Sequence, residues 1–309
     1  MKTISDFKNM KTSKEVITWL TSYSGWQAMV AERNSVDLIL VGDSGTMVEL
    51  FYDSTVPATI DQMLNFTQAV RRGAPNTHIV GDFNFGTYET SNQQAIETAI
   101  KFIKSGSNSV KMEGGKAISD RIKAISDVGI SCVFHHGITP QLAESYKAQA
   151  KTIESFDKIV EDCLESEKCG AAFGLIEGLP AQPSKQIAKL LKIPVLGIGA
   201  GNGTDGNLSI FSDILGLFPK FRPNFARSYI KDVIREFLNE LPNHEIDLKE
   251  YGRKTPDKDG LFRIAELAIG RYVKDVRERK FPNELYTYKL KDEELIELRK
   301  SKYWDTSKE

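Results

Sequence analysis

The sequence predicts an α/β fold, a (β/α)₈ TIM barrel with additional C-terminal helices. Three observations carry that prediction. Eight short apolar runs recur between residues 16 and 213, each ending in Gly or in a small polar or charged residue. Most are separated by stretches long enough for an amphipathic helix. The runs are also nearly continuous in Val, Ile and Leu, as strands buried on both faces are. Repeated βα units of this kind build a parallel sheet covered by helices, and eight of them close it into a barrel. The expected organisation is a single domain over 1–309, with 222–309 a helical extension.

The first run is VITWLT (16–21), followed by the polar TSYSG. The second, VDLILVG (36–42), ends in Asp43 and Ser44, and the third, HIVGDF (78–83), carries Asp82 near its end. NQQAIETAIKFIKSG (92–106) is an amphipathic helix leading into SVKMEG (109–114). Successive strand side chains alternate faces, so Lys111 and Glu113 share a side and Val110 and Met112 take the other. The fifth run, SCVFHH (131–136), ends in His135 and His136, which must face opposite ways, so only one enters the barrel. A helix over 155–170 precedes AAFGLIEG (171–178), which brings Glu177, and then come VLGIGA (195–200) and LSIFSD (208–213), the last ending in Ser212 and Asp213. Gly201, Gly203 and Gly206 have the spacing of a dinucleotide fingerprint, but the segment leads into a strand instead of opening a helix and reads as a tight turn. After Phe221 only helical patterns follow, at 224–241, 260–281 and 291–304, with 242–260 an exposed polar loop. The tail 283–309, with Leu295 and Leu298 among alternating charges, is expected to form a surface helix that covers a neighbouring subunit rather than building the barrel.

Composition narrows the partners. With 41 basic and 42 acidic residues the formal net charge is −1, so no global field favours nucleic acid or an anionic membrane. No run approaches the roughly eighteen apolar residues needed to span a bilayer, and the first residues lack the apolar core of a signal peptide. Three cysteines without CxxC spacing argue against a disulfide framework or structural zinc and fit reduced thiols in the cytoplasm.

In a barrel the functional groups collect at the C-terminal ends of the strands, and the charged residues named above fall there. Asp43, Asp82 and Glu113 come from three successive strands. Three carboxylates brought close together repel one another unless a cation or proton intervenes, and hard oxygen donors favour Mg²⁺; the plain alternative is that each caps a helix or pairs with a lysine. Lys111 could neutralise an anionic substrate or form a Schiff base. Glu177 lies in GLIEGLP, an apolar setting that suits a proton-transferring carboxyl group, against the alternative of a strand-end glutamate held by backbone donors.

The motifs VGDS (41–44), YDSTVPATIDQML (52–64), AVRRGAPN (69–76), VKMEGG (110–115), HHGITPQ (135–141), IEGLP (176–180), IPVLGIGAGNGTDG (193–206) and PKF (219–221) follow one another in the order found in ketopantoate hydroxymethyltransferases. The chain resembles that family over roughly 15–282. The resemblance implies a barrel of the phosphoenolpyruvate mutase/isocitrate lyase superfamily that transfers a hydroxymethyl group from 5,10-methylenetetrahydrofolate to 3-methyl-2-oxobutanoate in pantothenate biosynthesis, through a Mg²⁺-stabilised enolate. It also implies a homo-oligomer such as a decamer. Carried over by position, Asp43, Asp82 and Glu113 look like the Mg²⁺ ligands, and Asp43, Ser44, Asp82 and Lys111 like contacts to the 2-oxo acid. Glu177 matches the proton acceptor, His135 the active-site histidine, and Tyr23 a lining residue of the pocket. The chain departs from the family pattern at Ser24, Gly45, Thr46, Phe134 and Ser212, positions expected at the mouth, which leaves a sibling enzyme for another 2-oxo acid or electrophile as the alternative, and behind it a catalytically silent scaffold.

Overall fold

A computed structural model describes residues 1–141, 147–241, 257–258 and 260–306. Its centre is the expected closed barrel of eight parallel strands in sequence order: β1 (Ile17–Thr21), β2 (Leu38–Val41), β3 (His78–Asp82), β4 (Ser109–Glu113), β5 (Ser131–Gly137), β6 (Phe173–Glu177), β7 (Val195–Ile198) and β8 (Gly206–Ser209). Helices α1 (Ile4–Ser13), α2 (Gly25–Arg33), α3 (Ser44–Val48), α4 (Ile60–Gly73), α5 (Asn92–Lys104), α6 (Ser119–Asp127), α7 (Ile153–Lys168), α8 (Ala181–Leu190) and α9 (Phe211–Leu215) alternate with them.

The interior is filled by Trp19, Leu38, Leu40, Val80, Val133, Phe173, Leu175, Leu196 and Leu208. Alternate side chains of the same strands, among them Ile39, Ile79, Val110, Met112, Cys132 and Ile176, pack outward against the helices. That division follows from period-two alternation. The N-terminal end is closed by α1, which starts in a reciprocal Thr3/Asp6 capping box and buries Phe7 edge-on to His78 (5.4 Å) and Phe173 (5.2 Å). Burying such a ring stabilises by about 2 kcal/mol and plugs the barrel axis at this end.

The eighth strand differs from the expected 208–213. It runs from Gly206 to Ser209 because its ladder to β1 starts at Ile17↔Gly206 and ends at Leu20↔Ser209. A Cβ at Gly206 would lie 2.2 Å from the Ile17 carbonyl oxygen, so only glycine can open this seam. Beyond it the chain turns into α9, and Ser212 and Asp213 lie on that short helix rather than at a strand end.

Of the three expected C-terminal helices, the first is shorter, α10 (Ile230–Glu240), and is preceded by an irregular stretch that carries Phe225 over the barrel top. The second, α11 (Gly260–Arg277), buries Ala265, Ile269 and Tyr272. The third is α12 (Asp292–Leu298). The loop expected over 242–260 lies almost wholly outside the described residues. The expectation that the tail covers a neighbour rather than its own barrel is corrected: Leu298 is fully buried, Trp304 packs on Phe156 of α7 at 5.6 Å, and the Tyr303 hydroxyl donates to Glu161 at 3.1 Å. The three cysteines are free, and no described helix is long and apolar enough to cross a membrane.

Candidate active site

The strand register assembles the site. Asp82 is paired with Lys111 across β3 and β4, Glu113 with His135 across β4 and β5, and Gly137 with Glu177 across β5 and β6. In-register parallel neighbours point the same way, so these side chains share the C-terminal mouth. Asp43, two residues beyond the end of β2, precedes α3 without a side-chain capping bond and donates its backbone N–H to Asp82 Oδ2 at 3.1 Å.

Asp43, Asp82, Lys111, Glu113 and His135 are each at most 5 % exposed. Lys111 Nζ lies 2.7 Å from Asp82 Oδ1, close enough for an ion pair although not aligned for a hydrogen bond, and donates to Glu113 Oε1 at 3.3 Å. Glu113 Oε1 is also 3.2 Å from His135 Nδ1. The other imidazole nitrogen, Nε2, is 3.2 Å from Glu177 Oε2, again a charge contact without hydrogen-bond alignment. Asp82, Lys111, Glu113, His135 and Glu177 thus form one chain of contacts, to which Asp43 is joined through its backbone.

Electrostatics follows from this crowding. Burial opposes the Lys111 charge, but Asp82, Glu113 and Asp43 outweigh it and hold the ammonium above its ordinary value. Burial works against ionised Glu113 too, yet Lys111 and His135 hold its carboxyl down at about 2. For His135, burial and Lys111 push the imidazole down, while Glu113 and Glu177 overcome both and raise it to about 9. Asp43 is the loser: burial, then Asp82 and Glu113, push its carboxyl well above the usual range. Four carboxylates face two cations, and a proton on Asp43 narrows that deficit of positive charge without closing it. The acidic oxygens are spread over several partners, and among the described residues no three His, Cys, Asp or Glu side chains are gathered closely enough to enclose a metal ion as they stand.

Two further residues belong to the ring. The Gln141 side-chain amide donates to Asp43 Oδ2 (2.9 Å) and to the Phe83 carbonyl (2.7 Å), while its backbone N–H donates to Glu113 Oε2 (3.1 Å). The Tyr88 hydroxyl bonds Gln141 Oε1 (2.8 Å) and the Glu113 carbonyl (3.0 Å). Gln141 therefore ties two acidic strands together. Its only sequence signal is its place at the end of HHGITPQ, and Tyr88 has none.

Tyr23 and Ser44 meet beside this ring, hydroxyl to hydroxyl at 2.9 Å, but among the described residues no hydrogen bond runs from the pair to Lys111 or the carboxylates. Gly45 makes room for them, since a Cβ there would come within 2.5 Å of the Tyr23 ring. His136 faces outward as expected, 3.0 Å from Ser166 Oγ of α7 and stacked on Phe134 at 4.6 Å, a core histidine that burial lowers to about 3. Phe134 lies on that outer side too, so its expected place at the mouth is corrected.

Against this geometry, a family model described as ketopantoate hydroxymethyltransferase matches residues 1–243. The chain belongs to that family. It is 38 % identical over 302 residues to the 3-methyl-2-oxobutanoate hydroxymethyltransferase of Geobacillus kaustophilus (strain HTA426), covering 96 % of this chain and 98 % of the relative. With the enzyme of the same name from Bacillus subtilis (strain 168) it shares 38 % over 294 residues, 94 % and 96 % of the two chains. Among solved structures, 2,3-dimethylmalate lyase, described as a PEP mutase/isocitrate lyase superfamily member, superposes with a TM-score of 0.55 at 14 % identity, covering 84 % of this chain and 96 % of that one. Phosphonopyruvate hydrolase in complex with oxalate and Mg²⁺ gives 0.56 at 11 % identity over the same shares. At such identities the structural likeness speaks for the barrel, and the sequence relatives make the chain an enzyme of the hydroxymethyltransferase family.

Proposed function

We propose that this hydroxymethyltransferase transfers the one-carbon unit of 5,10-methylenetetrahydrofolate to C3 of 3-methyl-2-oxobutanoate, giving 2-dehydropantoate for pantothenate biosynthesis, with Glu177 as the base. The observation that carries the reading is the Glu113–His135–Glu177 chain. His135, protonated near neutral pH, keeps a cation against Glu177, whose side chain is 15 % exposed while the rest of the chain is buried. An oriented and reachable carboxylate at the mouth is what proton abstraction next to a carbonyl needs. A water adds to the donor's methylene carbon as one of its two carbon–nitrogen bonds breaks; the proton on C3 passes to Glu177, its electron pair moves toward the oxo oxygen, and the nucleophilic C3 then bonds that hydroxylated carbon as the second carbon–nitrogen bond breaks, the leaving nitrogen taking up the proton as tetrahydrofolate departs.

Lys111 supplies fixed positive charge for the substrate carboxylate, and Asp43, Ser44 and Asp82 line its place. The donor set also suits Mg²⁺: hard oxygens, a deficit of positive charge, and an Asp82 Oδ1 with no aligned hydrogen-bond donor. Asp43, Asp82 and Glu113 would hold the ion, which when bound supplies a Lewis acid toward the oxo oxygen. Tyr23, through Ser44, closes the side of the pocket. The three free thiols support a cytoplasmic setting, and the exposed Phe51 and Phe221, which flank the buried Phe218, support a homo-oligomer.

The test separates the half-reactions. With Mg²⁺ and no folate, the protein should exchange the C3 proton of 3-methyl-2-oxobutanoate with solvent deuterium, and Glu177→Gln should abolish the exchange while leaving oxo acid binding intact. Exchange at the wild-type rate in that variant would place the base elsewhere. No exchange by the wild type would refute the reaction, and exchange only with another 2-oxo acid would favour a sibling enzyme.

A further inference from the structure

Gln141 reaches the acidic rim from the loop after β5 and is 4 % exposed. Its side-chain amide is fully committed there. Nε2 donates to Asp43 Oδ2 (2.9 Å) and to the Phe83 carbonyl (2.7 Å), while Oε1 lies 2.8 Å from the Tyr88 hydroxyl. A carbonyl oxygen can only accept, so the amide nitrogen must face Phe83 and the amide cannot be turned over. The backbone N–H of the same residue donates to Glu113 Oε2 at 3.1 Å. Tyr88 braces the amide from the far side: it is buried, its ring packs on Phe83 at 5.9 Å, and its hydroxyl also meets the Glu113 carbonyl at 3.0 Å.

We infer that Gln141, braced by Tyr88, is a positioning residue for Mg²⁺: it holds Asp43 by Oδ2 and Glu113 by Oε2, so that the other oxygen of each is turned to what enters the ring. The inference rests on the Mg²⁺ reading in the proposed function and deepens it. Lys111 and Gln141 both contact the acidic side chains, with opposite consequences for a cation. The ammonium neutralises carboxylates and repels an incoming ion, whereas a neutral amide orients them and leaves their charge intact. Asp43 Oδ1 accepts no hydrogen bond from any described residue, and Glu113 Oε1 is the oxygen that meets Lys111 and His135. Fixing the carboxylates beforehand removes the cost of ordering them from the binding step.

Calorimetric titration of the full chain with Mg²⁺ alone tests this, with no turnover in the readout. Gln141→Met keeps the side-chain length and the backbone bond to Glu113 but removes the three amide bonds, and should raise the Kd for Mg²⁺ about 10- to 100-fold. Tyr88→Phe deletes a single buried oxygen, a smaller risk to folding, and should raise it about 2- to 10-fold, the worth of one hydrogen bond. Because Tyr88 acts through Gln141, the double variant should bind Mg²⁺ no more weakly than Gln141→Met alone, whereas a general loosening of the packing would add the two losses. Wild-type affinity in either single variant, or additive losses in the double one, overturns the assignment and leaves the Mg²⁺ site standing. Wild-type protein that binds no Mg²⁺ removes the ion and its positioning residue together.

Discussion

Replacing Lys111 by Met removes the one cation placed between Asp82 and Glu113, 2.7 Å and 3.3 Å away, at a site 2 % exposed. Methionine preserves the aliphatic stem, so the loss is electrostatic. Breaking a buried ion pair by deleting one partner costs about 3–5 kcal/mol, because the remaining charges are left uncompensated. With an unfolding entropy of roughly 2.1 cal/mol/K per residue, 309 residues give about 650 cal/mol/K, so each kcal/mol shifts Tm by about 1.5 °C. The variant should therefore melt about 5–8 °C below the wild type in metal-free buffer at pH 7.5 by differential scanning fluorimetry. If Asp43, Asp82 and Glu113 hold Mg²⁺, the variant binds the ion without competition from the ammonium, and its Mg²⁺-dependent rise in Tm should exceed that of the wild type. Saturation to about 100 Kd returns about 2.7 kcal/mol. A metal-free Tm within 1 °C of the wild type would refute the electrostatic account of the ring, and equal Mg²⁺ responses would refute the ligand set.

Three other perturbations probe separate parts of the molecule. His135, raised to about 9 from an ordinary 6.5, contributes stability that is fully present below pH 6.5 and is lost as pH rises through 9; histidine NMR should show one imidazole titrating near 9 that drops in Glu177→Gln, and a midpoint at or below 6.5 would contradict the Glu113 and Glu177 contacts. Gly73→Ala places a methyl 2.0 Å from the Gly25 carbonyl oxygen, forcing α2 and α4 apart, and should cost at least about 1–3 kcal/mol in denaturant melts, whereas less than 0.5 kcal/mol would mean the helices slide freely. Trp304→Ala opens the packing on Phe156 and should cost about 3 kcal/mol with the assembly size unchanged by ultracentrifugation; a change of assembly without loss of stability would restore the tail to an intersubunit role.

The barrel was legible because strands buried on both faces must be apolar throughout, and the alternation that sends Lys111 and Glu113 inward also sends His136 outward. What failed to show in the sequence has a common cause. The run at 208–213 is apolar enough for a strand, but its ladder ends where β1 ends, and pairing length is a property of the partner. Gln141 and Tyr88 are ordinary polar residues in loops, and their function appears only when chain reversal brings them to Glu113 and Asp43. The tail's charges suggested an exposed helix, while its anchors, Leu298 and Trp304, are too sparse to set a period.

The mouth divides into two arcs with different demands. The β2–β6 arc holds the buried charges, joined in one chain of contacts from Asp82 through Lys111, Glu113 and His135 to Glu177. The departures at Ser24, Gly45, Thr46 and Ser212 fall instead around the ends of β8, β1 and β2, next to Tyr23 and Asp213, where Ser24 Oγ and Ser212 Oγ are buried without a hydrogen-bond partner. Neutral hydroxyls can be exchanged there without disturbing an ion pair. Replacing Ser212 by histidine should consequently leave proton exchange at C3 as it is; an altered exchange rate in Ser212→His would show that the two arcs are coupled after all.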